Sequence, residues 1–255
     1  MIHPTAIVDP AAEVASGALI GPYSVIGPGV VIGEDTELQH HVTVMGPTRI
    51  GRGNFFFAYA SIGQKTQDLK YAGEPTYLEI GDGNTFREFT TVNRGTLPGT
   101  KTVIGSGGNF LAYSHIAHDC VVGDKVIFSN NGTLAGHVQV GDHAVIGGLT
   151  AIHQFCRVGR HAITGGCSKI VQDVPPFFIA DGNPAEVRGV NQVGLERAGF
   201  TAETIRALRE AYRILYRGKM NVKQAVETIR KELPEVPEIA ELCTFIETSE
   251  RGIIR

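Results

Sequence analysis

The sequence predicts an all-β solenoid followed by a small C-terminal α-helical domain. Two observations carry this: an apolar residue recurs at every sixth position over most of the chain, and after Val174-Pro175-Pro176 the recurrence gives way to helical spacing. From Ile2 the register runs through Val8, Val14, Ile20, Ile26, Ile32, Leu38, Val44, Ile50, Phe56 and Ile62. It resumes at Ile80, Phe86 and Val92, and again from Ile104 through Ile116, Leu134 and Ile152 to Ile170. Only Asp68, Glu74, Pro98 and Thr164 interrupt it. A period of six is a multiple of the strand period of two and does not fit 3.6, so the repeat reads as short strands joined by turns.

Glycine often follows the apolar residue, as at Gly21, Gly33, Gly51, Gly105 and Gly141, and is expected to relieve tight corners. Small or β-branched residues sit four positions after it, among them Ser24, Thr36, Cys120, Ala144 and Thr150. Cys120 and Cys156 both fall in this series, which marks them as small core fillers rather than redox or metal residues.

Two segments leave the register. Residues 64–79 (QKTQDLKYAGEPTYLE) and 94–102 (RGTLPGTKT) are polar and contain Gly and Pro, so they read as surface loops. Loops on a rigid scaffold often carry function, and the first concentrates Gln67, Asp68 and Lys70.

The solenoid is expected over 1–185 and the helical domain over 186–255. Thr201 to Gly218 predicts a helix, with Thr201 as N-cap, Ile205, Leu208, Tyr212 and Leu215 on one face, and Gly218 past the end. Asn221 to Leu233 predicts a second, stopped by Pro234, and a third runs from about Pro237 to Ser249.

Composition narrows the function. With 23 basic and 26 acidic residues the net charge is −3, and the basic residues form no long run, which argues against nucleic acid and anionic membrane surfaces as partners. No stretch approaches the roughly 20 apolar residues that a membrane span needs. Four cysteines without close spacing, and no signal-peptide pattern at the start, point to a cytoplasmic protein. Against this background His115, His118, Asp119, His137, His153 and Gln154 crowd into forty residues of repeat that has no need of them. Histidine is the side chain best matched to proton transfer near neutral pH, and His118 is expected to be a general base.

The sixfold pattern resembles that of the hexapeptide-repeat acyltransferases, whose chain winds as a left-handed parallel β-helix. In that fold three hexads make one coil, so residues 18 apart lie one above another at about one inter-strand spacing, roughly 4.8 Å. His118, Gly136 and Gln154 then form one column, and Asp119, His137 and Phe155 the next.

Longer motifs narrow the resemblance. His115-Ile116-Ala117-His118-Asp119-Cys120, Leu134-Ala135-Gly136-His137, His153-Gln154-Phe155, the loop Gln67-Asp68-Leu69-Lys70-Tyr71-Ala72-Gly73-Glu74-Pro75-Thr76 and the terminal Arg251-Gly252-Ile253-Ile254-Arg255 resemble the UDP-N-acetylglucosamine O-acyltransferase family. The resemblance implies the first step of lipid A biosynthesis: transfer of an (R)-3-hydroxyacyl chain from acyl carrier protein to the 3-hydroxyl of UDP-N-acetylglucosamine. It implies no bound cofactor and no metal, the acyl donor riding on the 4'-phosphopantetheine of acyl carrier protein. It also implies a homotrimer with each site between neighbouring subunits.

By the same resemblance His118 is the base, Asp119 orients it and the Gly136 N–H receives the oxyanion. Gln67, Asp68, Lys70, His115, His137, His153, Gln154, Asn191 and Arg197 would bind substrate, and Gly148 and Gly166 would floor the acyl groove. Where the family usually shows Gly-Leu-Lys-Arg-Arg-Gly-Phe, this chain reads Gly194-Leu195-Glu196-Arg197-Ala198-Gly199-Phe200. From charge complementarity, some of Arg157, Arg160, Lys169 and Arg188 are expected to build a local basic surface for the acidic carrier protein.

Two alternatives stand beside this. The related UDP-3-O-acylglucosamine N-acyltransferase has a similar histidine motif but carries a separate N-terminal uridine-binding domain, whereas this chain enters its repeat at Ile2. A γ-type zinc carbonic anhydrase would use three of the histidines as ligands.

Overall fold

The computed structural model describes residues 1–255. Short parallel strands form three sheets of nine, eight and ten strands, and within the solenoid each strand pairs with the strand three places further along the chain. The result is a left-handed parallel β-helix of triangular section, one sheet per wall. Register follows the sixfold count: Ile7 pairs with Val25, His115 with Thr133, and Thr133 with Ala151. Where the two loops leave the coil the pairing jumps, Ile50 to Ile80 across the first and Ile80 to Ile104 across the second.

The register residues point inward and build the core. Phe56, Phe86, Phe110 and Phe128 stack up the axis with ring centroids 4.7–5.2 Å apart, and Ile26, Ile62 and Leu134 are fully buried. Thr164, one of the four residues that break the apolar register, is also buried, whereas Asp68, Glu74 and Pro98 lie in the loops. Cys120 and Cys156 are free and fully buried, and burial pushes their thiols up to about 12 and about 11, so neither is a nucleophile near neutral pH.

The glycines need a different explanation from the one expected. Gly21, Gly33, Gly51, Gly105 and Gly141 do not have positive φ. A Cβ at Gly33 would fall 2.5 Å from the Gly51 carbonyl oxygen, and one at Gly51 2.7 Å from that of Gly81. These glycines let successive coils approach each other. The left-handed backbone at the corners falls on a different position, held by Gly29, Gly53, Gly83 and Gly107 but mostly by larger residues, including Tyr113 (φ 63°), Asp119 (58°), His137 (62°) and Phe155 (65°).

Beyond the last coil an antiparallel hairpin, Phe178–Gly182 with Ala185–Val190, extends one sheet. Sequence reading missed it, along with the short helix α1 (Gln192–Arg197). The three longer helices lie where capping chemistry put them: α2 (Ala202–Arg217) with Thr201 as N-cap, α3 (Val222–Glu232) with an Asn221/Gln224 capping box, and α4 (Pro237–Glu247) opened by proline. Arg160 joins the solenoid to α4 through Glu241 at 2.8 Å.

Candidate active site

The site occupies the corner that follows the strands His115–Ile116, Thr133–Leu134 and Ala151–Ile152, stacked on one wall. Each corner turn places one residue before a left-handed one, and three successive coils bring His118, Gly136 and Gln154 into a column beside Asp119, His137 and Phe155. His137 N–H donates to the His118 carbonyl and Phe155 N–H to that of Gly136, which locks the stack.

Asp119 has φ 58°, and this turn lets two sequence neighbours face each other. His118 Nδ1–H donates to Asp119 Oδ2 at 2.9 Å, and the two side chains are only 12 % and 7 % exposed. The same oxygen accepts the Thr96 N–H at 3.1 Å, while the Asp119 N–H donates to the Thr102 hydroxyl at 2.8 Å. Burial alone would raise the Asp119 carboxyl; the Thr100 hydroxyl and the His118 and His137 rings outweigh it and hold the group below the usual range. Asp119 is therefore ionised and fixes the tautomer of His118, leaving Nε2 as the ring atom able to accept a proton.

Gly136 sits directly over that ring: a Cβ there would fall 2.4 Å from His118 Cε1 and 2.5 Å from Nε2. Its N–H has no acceptor within the chain. His137 packs edge-on to His118 with centroids 5.2 Å apart, stacks on Phe155 and stands 3.8 Å from Asp119 Oδ2. His115 is hydrogen-bonded through Nδ1 to the Thr91 hydroxyl at 2.7 Å, and burial, reinforced by His118, lowers its pKa and keeps it neutral.

A groove of about 580 Å³ opens along this wall and gathers Gln67, Asp68, His115, His118, Gly136, His153 and Gln154. Lys169 also lines it; sequence reasoning had assigned this residue to a docking surface. His137 lies behind the groove, beside Asp119, in a second, polar cleft with Arg157 and Arg251. Thr96 went unnoticed because its contribution is a backbone donor from a loop.

Other expected residues stand apart from the groove. Lys70 is exposed, its N–H bound to Asp68 Oδ1. Asn191 is a buried N-cap of α1 that accepts from Gly194 N–H and donates to the His161 carbonyl, and Arg197 is exposed at the other end of that helix. Gly148 and Gly166 lie one above the other at the opposite edge of the same wall, a Cβ on Gly166 coming 3.5 Å from the Gly148 carbonyl oxygen.

Of the residues expected to build a basic docking surface, Arg157 donates to Thr248 and covers the Phe245 ring, Arg160 pairs with Glu241, and Arg188 pairs with Glu186. Arg160 and Arg188 are thus paired with carboxylates within the chain, while Arg157 and Lys169 are in no ion pair. The three-histidine zinc set is not assembled either. The one cluster with metal-binding spacing is His118, Asp119 and His137, with ligand atoms within 4.8 Å, and in it two members already hydrogen-bond directly.

The chain is similar to known proteins along its whole length. Residues 173–254 match the model of the second domain of UDP-N-acetylglucosamine O-acyltransferases. The chain is 51 % identical over its whole length to the acyl-[acyl-carrier-protein]–UDP-N-acetylglucosamine O-acyltransferase of Thermodesulfovibrio yellowstonii, covering 99 % of that protein. Among solved structures, LpxA of Acinetobacter baumannii superposes with a TM-score of 0.96 at 48 % identity, covering 100 % of this chain and 99 % of that one. The Francisella novicida UDP-N-acetylglucosamine acyltransferase superposes at 0.97 with 39 % identity, covering 100 % and 94 %. With a histidine–aspartate pair at the foot of the groove, a glycine over the imidazole and full-length similarity to these enzymes, the chain belongs to the UDP-N-acetylglucosamine O-acyltransferase family.

Proposed function

We propose that the chain transfers a 3-hydroxyacyl group from acyl carrier protein to the 3-hydroxyl of UDP-N-acetylglucosamine, with His118 as general base. The observation that carries this is the His118 Nδ1–Asp119 Oδ2 bond beneath Gly136, which leaves the other imidazole nitrogen, Nε2, facing a groove wall. A sugar hydroxyl is a weak nucleophile, and His118 Nε2 takes its proton as the oxygen attacks the thioester carbon. Asp119 stabilises the imidazolium that forms. The Gly136 N–H, free of any acceptor in the chain, donates to the oxyanion of the tetrahedral intermediate. As that intermediate collapses the C–S bond breaks, and the imidazolium returns its proton to the departing thiolate. The phosphopantetheine arm belongs to the carrier protein, and the chain itself needs no bound cofactor.

Gln67, Asp68, His115, His153 and Gln154 line the groove and hold the substrates, and His137 braces the base from behind. Asn191 and Arg197 serve the nucleotide from a neighbouring copy in a cytoplasmic homotrimer, a reading their distance from this chain's own groove supports. Lys70, exposed on the first loop, reaches the substrate in the same assembly. Gly148 and Gly166 floor the acyl groove: neither has positive φ, and a side chain on Gly166 meets no obstacle in the fold, so local packing does not require glycine there. Assay of the purified protein with UDP-N-acetylglucosamine and a panel of 3-hydroxyacyl carrier proteins tests the reaction; no transfer from any of them would refute it.

A further inference from the structure

The second loop looks like a tolerated insertion, yet it supplies the backbone donor to Asp119, and the same residue reaches the first loop as well. Thr96 is 2 % exposed and Thr66 5 %. The Thr96 N–H donates to Asp119 Oδ2 at 3.1 Å, and its hydroxyl donates to the Thr66 hydroxyl at 2.9 Å. Thr66 Oγ1 in turn accepts the Asp68 N–H at 3.0 Å. One unbroken line of hydrogen bonds therefore runs from the imidazole through Asp119 and Thr96 to Thr66 and the residues that line the groove.

The surroundings are built to hold this line. Asn93 Nδ2 donates to the Lys65 carbonyl at 3.3 Å, and Arg94 N–H to that of Gln64 at 2.9 Å. The Arg94 guanidinium, almost buried, donates to the Gly46 and Gly63 carbonyls at 2.6 and 2.7 Å. Residues 93–96 thus staple the root of the first loop. A position that only filled space there would be apolar, whereas the buried Thr96 hydroxyl has an acceptor in Thr66 Oγ1, and deleting either oxygen breaks that bond.

We propose that Thr96 is a positioning residue with two arms: its backbone fixes the carboxylate of Asp119, and its hydroxyl, through Thr66, fixes the substrate-facing segment Gln67-Asp68. This rests on the reading of the reaction given above. The two arms separate by mutation. Thr96→Val keeps the N–H on Asp119 and removes only the hydroxyl, so the base stays oriented while the grip on the sugar nucleotide loosens.

Steady-state kinetics of Thr96→Val, Thr96→Ser, Thr66→Val and the Thr66→Val/Thr96→Val double variant test this, with calorimetric titration of UDP-N-acetylglucosamine as a readout independent of turnover. Thr96→Val is expected to raise KM and Kd for the nucleotide about tenfold, the cost of losing one buried hydrogen bond, with kcat within about threefold of wild type. Thr96→Ser retains wild-type values, Thr66→Val, which also removes the acceptor of the Asp68 N–H, loses at least as much as Thr96→Val, and the double variant is no worse than Thr66→Val because the bond between the two hydroxyls is already gone there. An unchanged Kd in folded Thr96→Val, a fall in kcat alone, failure of serine to restore binding, or additive losses would each overturn the proposal. So would failure of both valine variants to fold, which would make the pair purely structural. A wild type that binds the nucleotide without transferring an acyl group counts against the reaction and leaves the Kd comparison standing.

Discussion

Gly136 lies one coil from His118 and directly over its ring, so close that a Cβ would stand 2.4 Å from His118 Cε1. The imidazole is held between that glycine and the Asp119 carboxylate. Gly136→Ala must therefore displace the ring and block its Nε2 face. Turnover is expected to fall by about 10²-fold or more, as for loss of a general base. The melting temperature should change little, since the ring borders the groove rather than the core. Activity near wild type in the folded variant would show that the ring does not work from this position.

A second prediction concerns acid. His161 is buried, stacks on His143 with centroids 4.6 Å apart and meets Phe200 edge-on where the solenoid joins the helical region. Burial first, then the charges of His143 and Arg160, lower its pKa to about 4, with Asp142 opposing. The unfolded chain, with histidine near 6.5, binds the proton more readily, so stability gains from the neutral ring are complete above about pH 6.5 and are lost as pH falls toward 4. The loss reaches about 3 kcal/mol at most. Denaturant midpoints of wild type and His161→Phe between pH 7 and 4 measure it: the wild type should lose more stability over that range, and parallel curves would count against the assignment.

The acyl groove gives a third. Gly166→Met adds a side chain where the fold leaves room, filling volume that the distal methylenes of a long donor would occupy, each worth about 0.8 kcal/mol when buried. Preference should shift toward shorter 3-hydroxyacyl donors. An equal loss on long and short donors would mean that the groove does not end there.

Metal removal gives a fourth. His118, Asp119 and His137 approach one another closely enough to attract a metal ion, but the mechanism uses Nδ1 of His118 as a donor to Asp119 and leaves no step for a metal. Dialysis against chelator should leave turnover unchanged. Loss of activity restored by zinc would favour metal chemistry at this cluster.

Much of this was legible in the sequence because a sixfold apolar register admits few architectures. Ile116, Leu134 and Ile152 fix the stacking of the residues two places on, so the column of His118, Gly136 and Gln154 follows once the family resemblance supplies three hexads to a coil. The caps at Thr201 and Asn221 were equally plain, since an oxygen-bearing side chain before an apolar stripe satisfies the first helical N–H groups. What escaped has identifiable physical causes. That Asp119 orients His118 came only from the resemblance, because their meeting depends on a left-handed φ and residues as different as Tyr113, Lys125 and Gly107 occupy the equivalent corners. The hairpin at Phe178–Val190 changes from parallel to antiparallel pairing, and six-residue α1 is too short to show a period. The partners of Arg157, Arg160 and Arg188 were not legible because they lie on other elements or in the hairpin itself. Thr96 acts through a main-chain N–H that any residue but proline could supply, and only the hydroxyl contact to Thr66 makes it particular.

The central claim is that His118 removes the proton from the acceptor hydroxyl, and the most direct measurement is kcat of His118→Ala with UDP-N-acetylglucosamine and a 3-hydroxyacyl carrier protein, on protein shown to be folded by its melting curve. The account predicts a fall of about 10²–10⁴-fold with the fold intact, because the ring lines a groove and packs little core. A folded variant that turns over at close to the wild-type rate would contradict it.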